Sequence, residues 1–129
     1  MSNSEFPVEY INDSYLKITY LKTYDDEEFS ELHKHLIDFQ TKCPNKGLLM
    51  VDTKKMGVLS MEKQAHIAKY VVPTLSEQAG QKMRIALLLG DDVFASFGAK
   101  NIAQKSDDAS VTKPFSDQSE AETWLTESV

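Results

Sequence analysis

The apolar residues follow two different spacings in the first third of the chain. Between Tyr15 and Lys22 alternate side chains are apolar, which predicts a half-buried β-strand. Val8–Ile11 lies before it, across the turn pair Asn12-Asp13, so the two runs together predict a β-hairpin. From Phe29 to Cys43 the apolar residues recur three and four positions apart, which predicts an amphipathic helix that the acidic run 25–28 opens and the run 44–47 ends.

Strand and helix patterns then alternate along the rest of the chain. Leu48–Val51 and Ile85–Leu89 are continuous apolar runs, as expected of strands that are covered on both faces, and the second strand is predicted over Met83–Leu89. Between them, Ser60 is a suitable N-cap and Gly80 a suitable C-cap for a second helix. A third helical pattern begins at Val93, after the second of these strands.

The C-terminal segment completes the alternation. Ser110–Phe115 is predicted to be an edge strand, because Pro114 lacks the N–H that a neighbouring strand would need. Asp117 and Glu120 resemble a capping box before a last helix, which carries Ala121, Trp124 and Leu125. The order ββαβαβαβα predicts one α/β domain over residues 1–129, with a mixed four- or five-stranded sheet, right-handed crossovers and about four helices.

The second helix carries more apolar residues than one stripe needs. Its inner stripe is predicted to hold Met61, Ala65, Ala68, Val72 and Leu75. The ring of Pro73 would collide with the carbonyl four residues back, so a kink or break is expected near Val72. Ile67, Tyr70 and Val71 fall progressively outside the stripe. These three residues either form an interface, for example in a homodimer, or are buried because Pro73 changes which side of the helix faces the core.

Composition and charge exclude several classes of protein. The 129 residues carry a formal net charge of −6, which disfavours nucleic-acid or anionic-membrane partners because both need a basic patch. The N-terminal residues show no signal-peptide pattern, and the apolar runs are far shorter than the about 20 residues of a membrane span. The one cysteine, Cys43, excludes an intramolecular disulfide. We therefore expect a cytoplasmic protein without a membrane span.

Residue types that carry chemistry are present but are not grouped in the sequence. His33 and His35 lie two positions apart, which is not the i, i+4 spacing that presents two ligands together, and His66 lies on another helix. Cys43 continues the apolar stripe of the first helix and is interpreted as a small buried hydrophobe. Glycine-rich phosphate loops and a G-x-S-x-G elbow do not occur in the sequence. We expect no metal, no cofactor and no catalytic residue, and an enzyme of unknown type stays as the second alternative.

One binding site is suggested by the polar residues that follow the predicted parallel strands. Ligands of open α/β sheets bind outside the carboxyl ends of the parallel strands. The polar residues that follow these ends are Asp52, Lys54, Lys55, Asp91 and Asp92. They are predicted to meet at one rim, beside the N-terminus of the Ser60 helix. The competing interpretation is ordinary loop polarity, with Asp91 or Asp92 as the cap of the third helix.

Five stretches also carry a family resemblance by their order and spacing. They are 49–55 (LMVDTKK), 58–62 (VLSME), 70–75 (YVVPTL), 86–94 (ALLLGDDVF) and Phe115 followed by 120–125 (EAETWL). Over residues 15–125 the chain resembles the STAS-like domains, which include the bacterial anti-sigma-factor antagonists, and it is most similar to their SpoIIAA-like branch. The resemblance implies a bacterial protein with a mixed sheet and helices, and a role in binding.

The resemblance also draws attention to Ser60. In the antagonists, an acidic residue followed by a phosphorylatable serine opens the helix after the central strand. Ser60 holds the corresponding place, with Leu59 before it and Met61-Glu62 after it instead of the usual Asp-Ser-Ser-Gly run. Ser60 is therefore either a phosphorylation site or simply a helix N-cap.

Two functional hypotheses follow for a chain of this kind. The leading one is a non-enzymatic regulatory module that engages a protein partner, or a second copy of itself, through the loop and helix around Ser60. The alternative rests on the likeness of the SpoIIAA-like branch to lipid-binding folds. It is a carrier of a small apolar ligand, in a cavity lined by Met61, Ala65, Phe94 and Phe97.

Overall fold

The computed structural model describes residues 7–12, 14–22, 24–43, 47–91 and 93–127. Asp13, the run 44–46, Asp92 and the side chain of Phe94, on which sequence predictions fall, lie outside this description. The strands are β1 Val8–Ile11, β2 Tyr15–Thr19, β3 Leu48–Asp52, β4 Met83–Leu88 and β5 Ser110–Phe115. The helices are α1 Asp26–Thr41, α2 Met61–His66, α3 Val72–Ala79, α4 Val93–Lys105 and α5 Gln118–Glu127. A π-helical turn, Ile67–Val71, joins α2 to α3 in one continuous stretch, so the predicted order ββαβαβαβα is confirmed.

The five strands lie side by side in chain order in a single mixed sheet. β1 runs antiparallel to β2, whereas β2, β3, β4 and β5 are parallel neighbours. Right-handed crossovers that always step in the same direction place their helices on the same face of the sheet. Accordingly α1 to α4 cover one face, and α5, which follows the last strand, covers the other.

The larger hydrophobic core lies between the sheet and α1 to α4. Its most buried members include Leu16, Ile18, Leu32, Leu36 and Leu75. A capping box fixes the start of α1, because Asp25 Oδ1 accepts from the N–H of Glu28 at 2.8 Å and Glu28 Oε1 accepts from the N–H of Asp25 at 3.1 Å. The acidic start and apolar stripe predicted for this helix are thereby confirmed.

The smaller core lies on the opposite face, beneath α5. Ala121 and Leu125 are fully buried there against β3 and β4. The guanidinium of Arg84 lies 3.9 Å from the ring centre of Trp124, and its Nη2 donates to the Trp124 carbonyl oxygen at 2.8 Å. Asp117 caps α5, since its Oδ2 accepts from the N–H of Glu120 at 2.9 Å. The helix predicted from these residues is confirmed.

β5 lies at the edge of the sheet, as Pro114 predicts. The N–H of Met83 donates to the oxygen of Ala109, and the N–H of Leu89 donates to the oxygen of Phe115, both at 2.9 Å. Odd-numbered residues of β5 therefore face β4, and even-numbered residues direct their backbone groups to the free edge. Pro114 is even-numbered, so it withholds a donor from any strand that would add to this edge.

The helix break expected near Pro73 is the π-helical turn. The N–H of Val72 bonds to the oxygen of Ile67, five residues back. In a regular α-helix the ring of Pro73 would press on the carbonyl of Lys69. A wider turn immediately before the proline removes this collision.

Candidate functional site

Ser60 caps α2, and the prediction of an N-cap is confirmed. Its Oγ accepts a hydrogen bond from the N–H of Lys63 at 3.1 Å, its backbone is extended, and the residue is exposed. The side chain of Lys63 points away to α1, where its Nζ donates to the carbonyl oxygen of Tyr24 at 2.8 Å and lies 3.5 Å from Asp26 Oδ1. A charge placed on Ser60 would therefore have to compete with these groups for Lys63.

Three large apolar side chains are exposed on the elements around this cap. Val58 is 58% exposed, Met61 is 63% exposed, and Phe97 on α4 is 72% exposed. Val58 and Met61 flank Ser60 in the chain. We refer to Val58, Met61 and Phe97 as the apolar surface.

The orientation of α2 explains why Met61 is exposed. The buried Gln64 faces α4, and its Oε1 accepts a hydrogen bond from Asn101 Nδ2 at 2.6 Å. A Cβ added at Gly98 would lie 3.3 Å from Gln64 Nε2, so α4 approaches α2 closely at this point. Because Gln64 holds the inner position, Met61 turns to solvent and Ala65 is only half-buried. The predicted inner stripe is therefore wrong at Met61 and Ala65, although it is right from Ala68 onward.

Two of the three predicted interface residues lie in the core. Ile67 and Val71 are buried against the sheet, with only 2% of Val71 exposed. The wide π-helical turn presents them inward together with their neighbours Ala68 and Val72. The prediction that Ile67 and Val71 contact another molecule is therefore wrong. The alternative, that a change of helix geometry near Pro73 buries them, agrees with the structure. Tyr70 is about half exposed and stays available at the surface.

The predicted rim exists, but its polar residues are not equivalent. Asp52 is buried, and its Oδ1 accepts from the N–H of Lys54 at 3.0 Å, which is the geometry of a local turn. Lys54, Lys55 and Asp91 are exposed. A Cβ added at Gly90 would lie 3.0 Å from the Lys54 oxygen, so the loops after β3 and β4 are in contact.

The topology explains why this rim is a poor ligand pocket. Ligand crevices in open α/β sheets form where neighbouring crossovers leave in opposite directions. Here β2 to β5 follow one another in chain order, so their crossovers all step the same way. The rim polarity is better explained by turns and solvation.

A cavity of about 60 Å³ lies inside the larger core. Ile18 and Ile85 of the sheet line it on one side, and Val71 and Leu75 line it on the other. The predicted lining is wrong for Met61, Ala65 and Phe97, which do not contact the cavity. The cavity lies beneath the π-helical turn and α3, further along the same helical stretch. A space between helix and sheet is present, but at a position other than the predicted one.

A buried tyrosine–histidine pair adjoins the cavity. Tyr20 lines the cavity, and its hydroxyl lies 2.7 Å from His33 Nε2, while His33 Nδ1 lies 2.9 Å from the carbonyl oxygen of Phe29. A carbonyl only accepts, so Nδ1 carries the proton and Nε2 accepts from Tyr20. Burial lowers the pKa of His33 to about 4, the hydrogen bond to Phe29 opposes this change, and His66 adds to it. Burial also raises the pKa of the Tyr20 hydroxyl.

The spacing of residues in the sequence does not predict that two of the histidines lie close together. The ring centres of His33 and His66 lie 6.2 Å apart, although the residues belong to α1 and α2. Their proximity depends on helix packing, which residue spacing within one helix does not report. Within the described ranges, no three His, Cys, Asp or Glu side chains are grouped so that they could hold a metal ion.

Two further findings concern membrane-spanning helices and similarity to known proteins. None of the helices in the described part of the chain is both long and apolar enough to cross a membrane. No protein-family model, no curated protein and no solved structure matches this chain.

Proposed function

We propose that this chain is a bacterial, cytoplasmic STAS-like binding module without chemistry of its own, and that its partner contacts the apolar surface. The observation that carries the proposal is the exposure of Val58 and Met61, which flank the Ser60 cap, and of Phe97 on α4, which packs against α2. Large apolar side chains are stabilised by about 25 cal/mol for each Å² that a partner removes from water. Lys54 and Lys55 lie in the loop that leads to Val58, and their exposed charges are suited to a polar rim.

The partner surface can be tested by charge substitution. Met61→Glu and Phe97→Glu each place an unpaired carboxylate where the partner would desolvate it, so partner binding should fall at least tenfold. Val111→Glu is the matched control, because Val111 is 49% exposed but lies near the start of β5, at the opposite end of the sheet from the rim. All three sites are exposed, so their free energies of unfolding should stay within about 0.5 kcal/mol of wild type.

The assay is quantitative affinity capture of the tagged chain from its own cells, together with sedimentation of the purified protein. We expect a partner that is retained by the wild type and Val111→Glu and lost by Met61→Glu. If the partner is a second copy, the wild type sediments as a dimer and Met61→Glu as a monomer. Equal capture and equal sedimentation of all four proteins would contradict the proposal.

Ser60 is the residue through which binding would be regulated. A phosphate adds about −1.5 to −2 charges, and here it would sit between Val58 and Met61, while Lys63 is held by Tyr24 and Asp26. Phosphorylation should therefore weaken partner binding and leave the fold intact. Ser60→Asp should reproduce this weakening, whereas Ser60→Asn caps the helix without charge and should bind like wild type. Equal binding by the two variants, with no phosphate on Ser60 in the native protein, would leave Ser60 as a cap only.

A second candidate function is the binding of a small ligand in the cavity. The cavity of about 60 Å³ favours it, because well-packed cores hold few voids larger than a water molecule. Drug-sized ligands occupy about 300–1,000 Å³, so this cavity suits only a much smaller molecule unless α3 moves away from the sheet.

A further inference from the structure

The core cavity shares a wall with a groove on the protein surface. Ala103 on α4 and Thr112 on β5 line the cavity, and both also line an open groove of about 460 Å³ at the edge of the sheet. Both residues are half-buried. A single layer of small side chains therefore separates the cavity from this groove, which we call the edge groove.

The sequence of α4 explains why space remains between this helix and the sheet. Its residues in the cavity lining include Ala99, Ala103 and Ser106, whose side chains are small, and they line the cavity together with Ile85 and Thr112 of the sheet. Larger side chains would fill the gap to the density of an ordinary core. In the part of the chain that the structure describes, no strand lies beyond β5 to close this side of the sheet.

The cavity and the edge groove differ in polarity. The cavity is lined almost entirely by apolar surface. The edge groove is lined in part by Lys82, Gln104 and Asp107, all of which are exposed. Lys82 and Asp107 carry opposite charges, so the groove is polar without favouring ions of one sign. The two neighbouring spaces therefore offer an apolar end and a hydrated polar end.

We propose that the cavity and the edge groove together bind a single-chain amphiphile, with the end of its alkyl chain in the cavity and its polar head in the groove. Each methylene that leaves water should tighten binding about fourfold. The head stays in the groove, because burial in an apolar cavity would remove its hydration without replacing it.

Only the end of the chain needs to fit the cavity. A dry cavity of about 150 Å³ holds benzene, so 60 Å³ holds about two or three carbon atoms by the same ratio. The rest of the ligand crosses the wall at Ala103 and Thr112 and lies in the edge groove. This inference rests on the cavity of the second candidate function, and it is independent of the apolar surface.

NMR with a paramagnetic head group can locate both ends of such a ligand on the wild-type protein. The probes are the acetyl and hexanoyl esters of the nitroxide 4-hydroxy-TEMPO, with the free nitroxide as the probe without a chain. The hexanoyl ester should saturably broaden the amide signals of Gln104 and Val111 in the edge groove. Once ascorbate has reduced the nitroxide, the same ester should shift the methyl signals of Val71 and Ile85 in the cavity, and not those of Leu125 in the smaller core.

Chain length and one substitution test how the ligand is held. The hexanoyl ester should bind tighter than the acetyl ester by about tenfold or more, because its chain removes more methylenes from water. Ala103→Leu fills the shared wall and should weaken binding of the hexanoyl ester by about tenfold or more, through overpacking of the path that the chain occupies. Ala65→Leu is the matched control, because Ala65 is also a half-buried helical alanine but lines neither the cavity nor the groove.

The outcomes separate this inference from the function on which it rests. Absence of saturable shifts at the cavity methyls with both esters would overturn the cavity as a ligand site, and the second candidate function with it. Shifts at these methyls with broadening centred on another surface, or with equal affinities for the two esters, would overturn the amphiphile in the edge groove only. If Ala103→Leu does not fold, the position of the broadening on the wild-type protein decides the question.

Discussion

Acid should destabilise this protein through His33 in particular. His33 is buried and neutral between Tyr20 and the carbonyl oxygen of Phe29, with the ring of His66 beside it. In the unfolded chain the same side chain binds a proton near pH 6.5, whereas burial lowers its pKa in the folded protein to about 4. The unfolded state therefore takes up the proton first, so this contribution to stability is present above pH 6.5 and is lost as the pH falls toward 4.

The size of the loss follows from these two pKa values. A difference of about 2.5 pKa units, at 1.36 kcal/mol per unit, corresponds to roughly 3 kcal/mol by pH 4. A domain of this size is stabilised by only about 5–15 kcal/mol in total, so the loss is large enough to measure in a denaturant titration. Carboxylates also contribute to acid destabilisation, but they are common to the wild type and to histidine variants and cancel in the comparison.

The assay is urea unfolding from pH 7 down to pH 4 for the wild type, His33→Gln and His35→Gln. His33→Gln is expected to start less stable at pH 7, because the amide does not replace the ring contacts with Phe29 and Tyr20, and to lose about 3 kcal/mol less than the wild type on acidification. His35→Gln removes a histidine from the same helix and is the comparison variant. The reasoning is refuted if His33→Gln and the wild type lose stability in parallel.

Three further substitutions test the fold around the site. Leu87→Ala should lower the free energy of unfolding by about 2–5 kcal/mol, since Leu87 is buried in β4, and a change below about 0.5 kcal/mol in urea unfolding would contradict that burial. Ser60→Ala should lower it by about 0.5–2 kcal/mol through loss of the cap, with Ser60→Asn near wild type as the control. Gly90→Ala should lower the melting temperature, because its Cβ would lie 3.0 Å from the Lys54 backbone oxygen and overpacking costs about 1–3 kcal/mol; a wild-type value would contradict the close approach.

Most of the fold can be predicted from local patterns in the sequence. The apolar runs within β3 and β4 identify strands that are covered on both faces, and the structure covers them with α1 to α4 on one side and α5 on the other. Pro114 identifies the edge strand, and Ser60 and Asp25 identify helix starts. These features depend on neighbours along the chain, which is why spacing is enough to predict them.

The parts that the sequence does not predict depend on contacts between elements. Gln64 takes an inner position on α2 only because Asn101 and Gly98 of α4 meet it there, and this rotation exposes Met61. The burial of Ile67 and Val71 needs the π-helical turn, which the proline suggests as a break but not as a widened turn. The cavity and the pairing of Tyr20 with His33 likewise arise from packing between the sheet and its helices.

The central claim is that the partner sits on the apolar surface, and the most direct measurement is site-specific photo-cross-linking in the cells that produce the protein. A photoreactive side chain is introduced at position 61, and in a parallel strain at position 111, where the native residues are similarly exposed. The account predicts one discrete cross-linked product from position 61, whose partner is identified by mass spectrometry, and none from position 111. Cross-linking of the same partner at position 111, or no product at position 61, would contradict it.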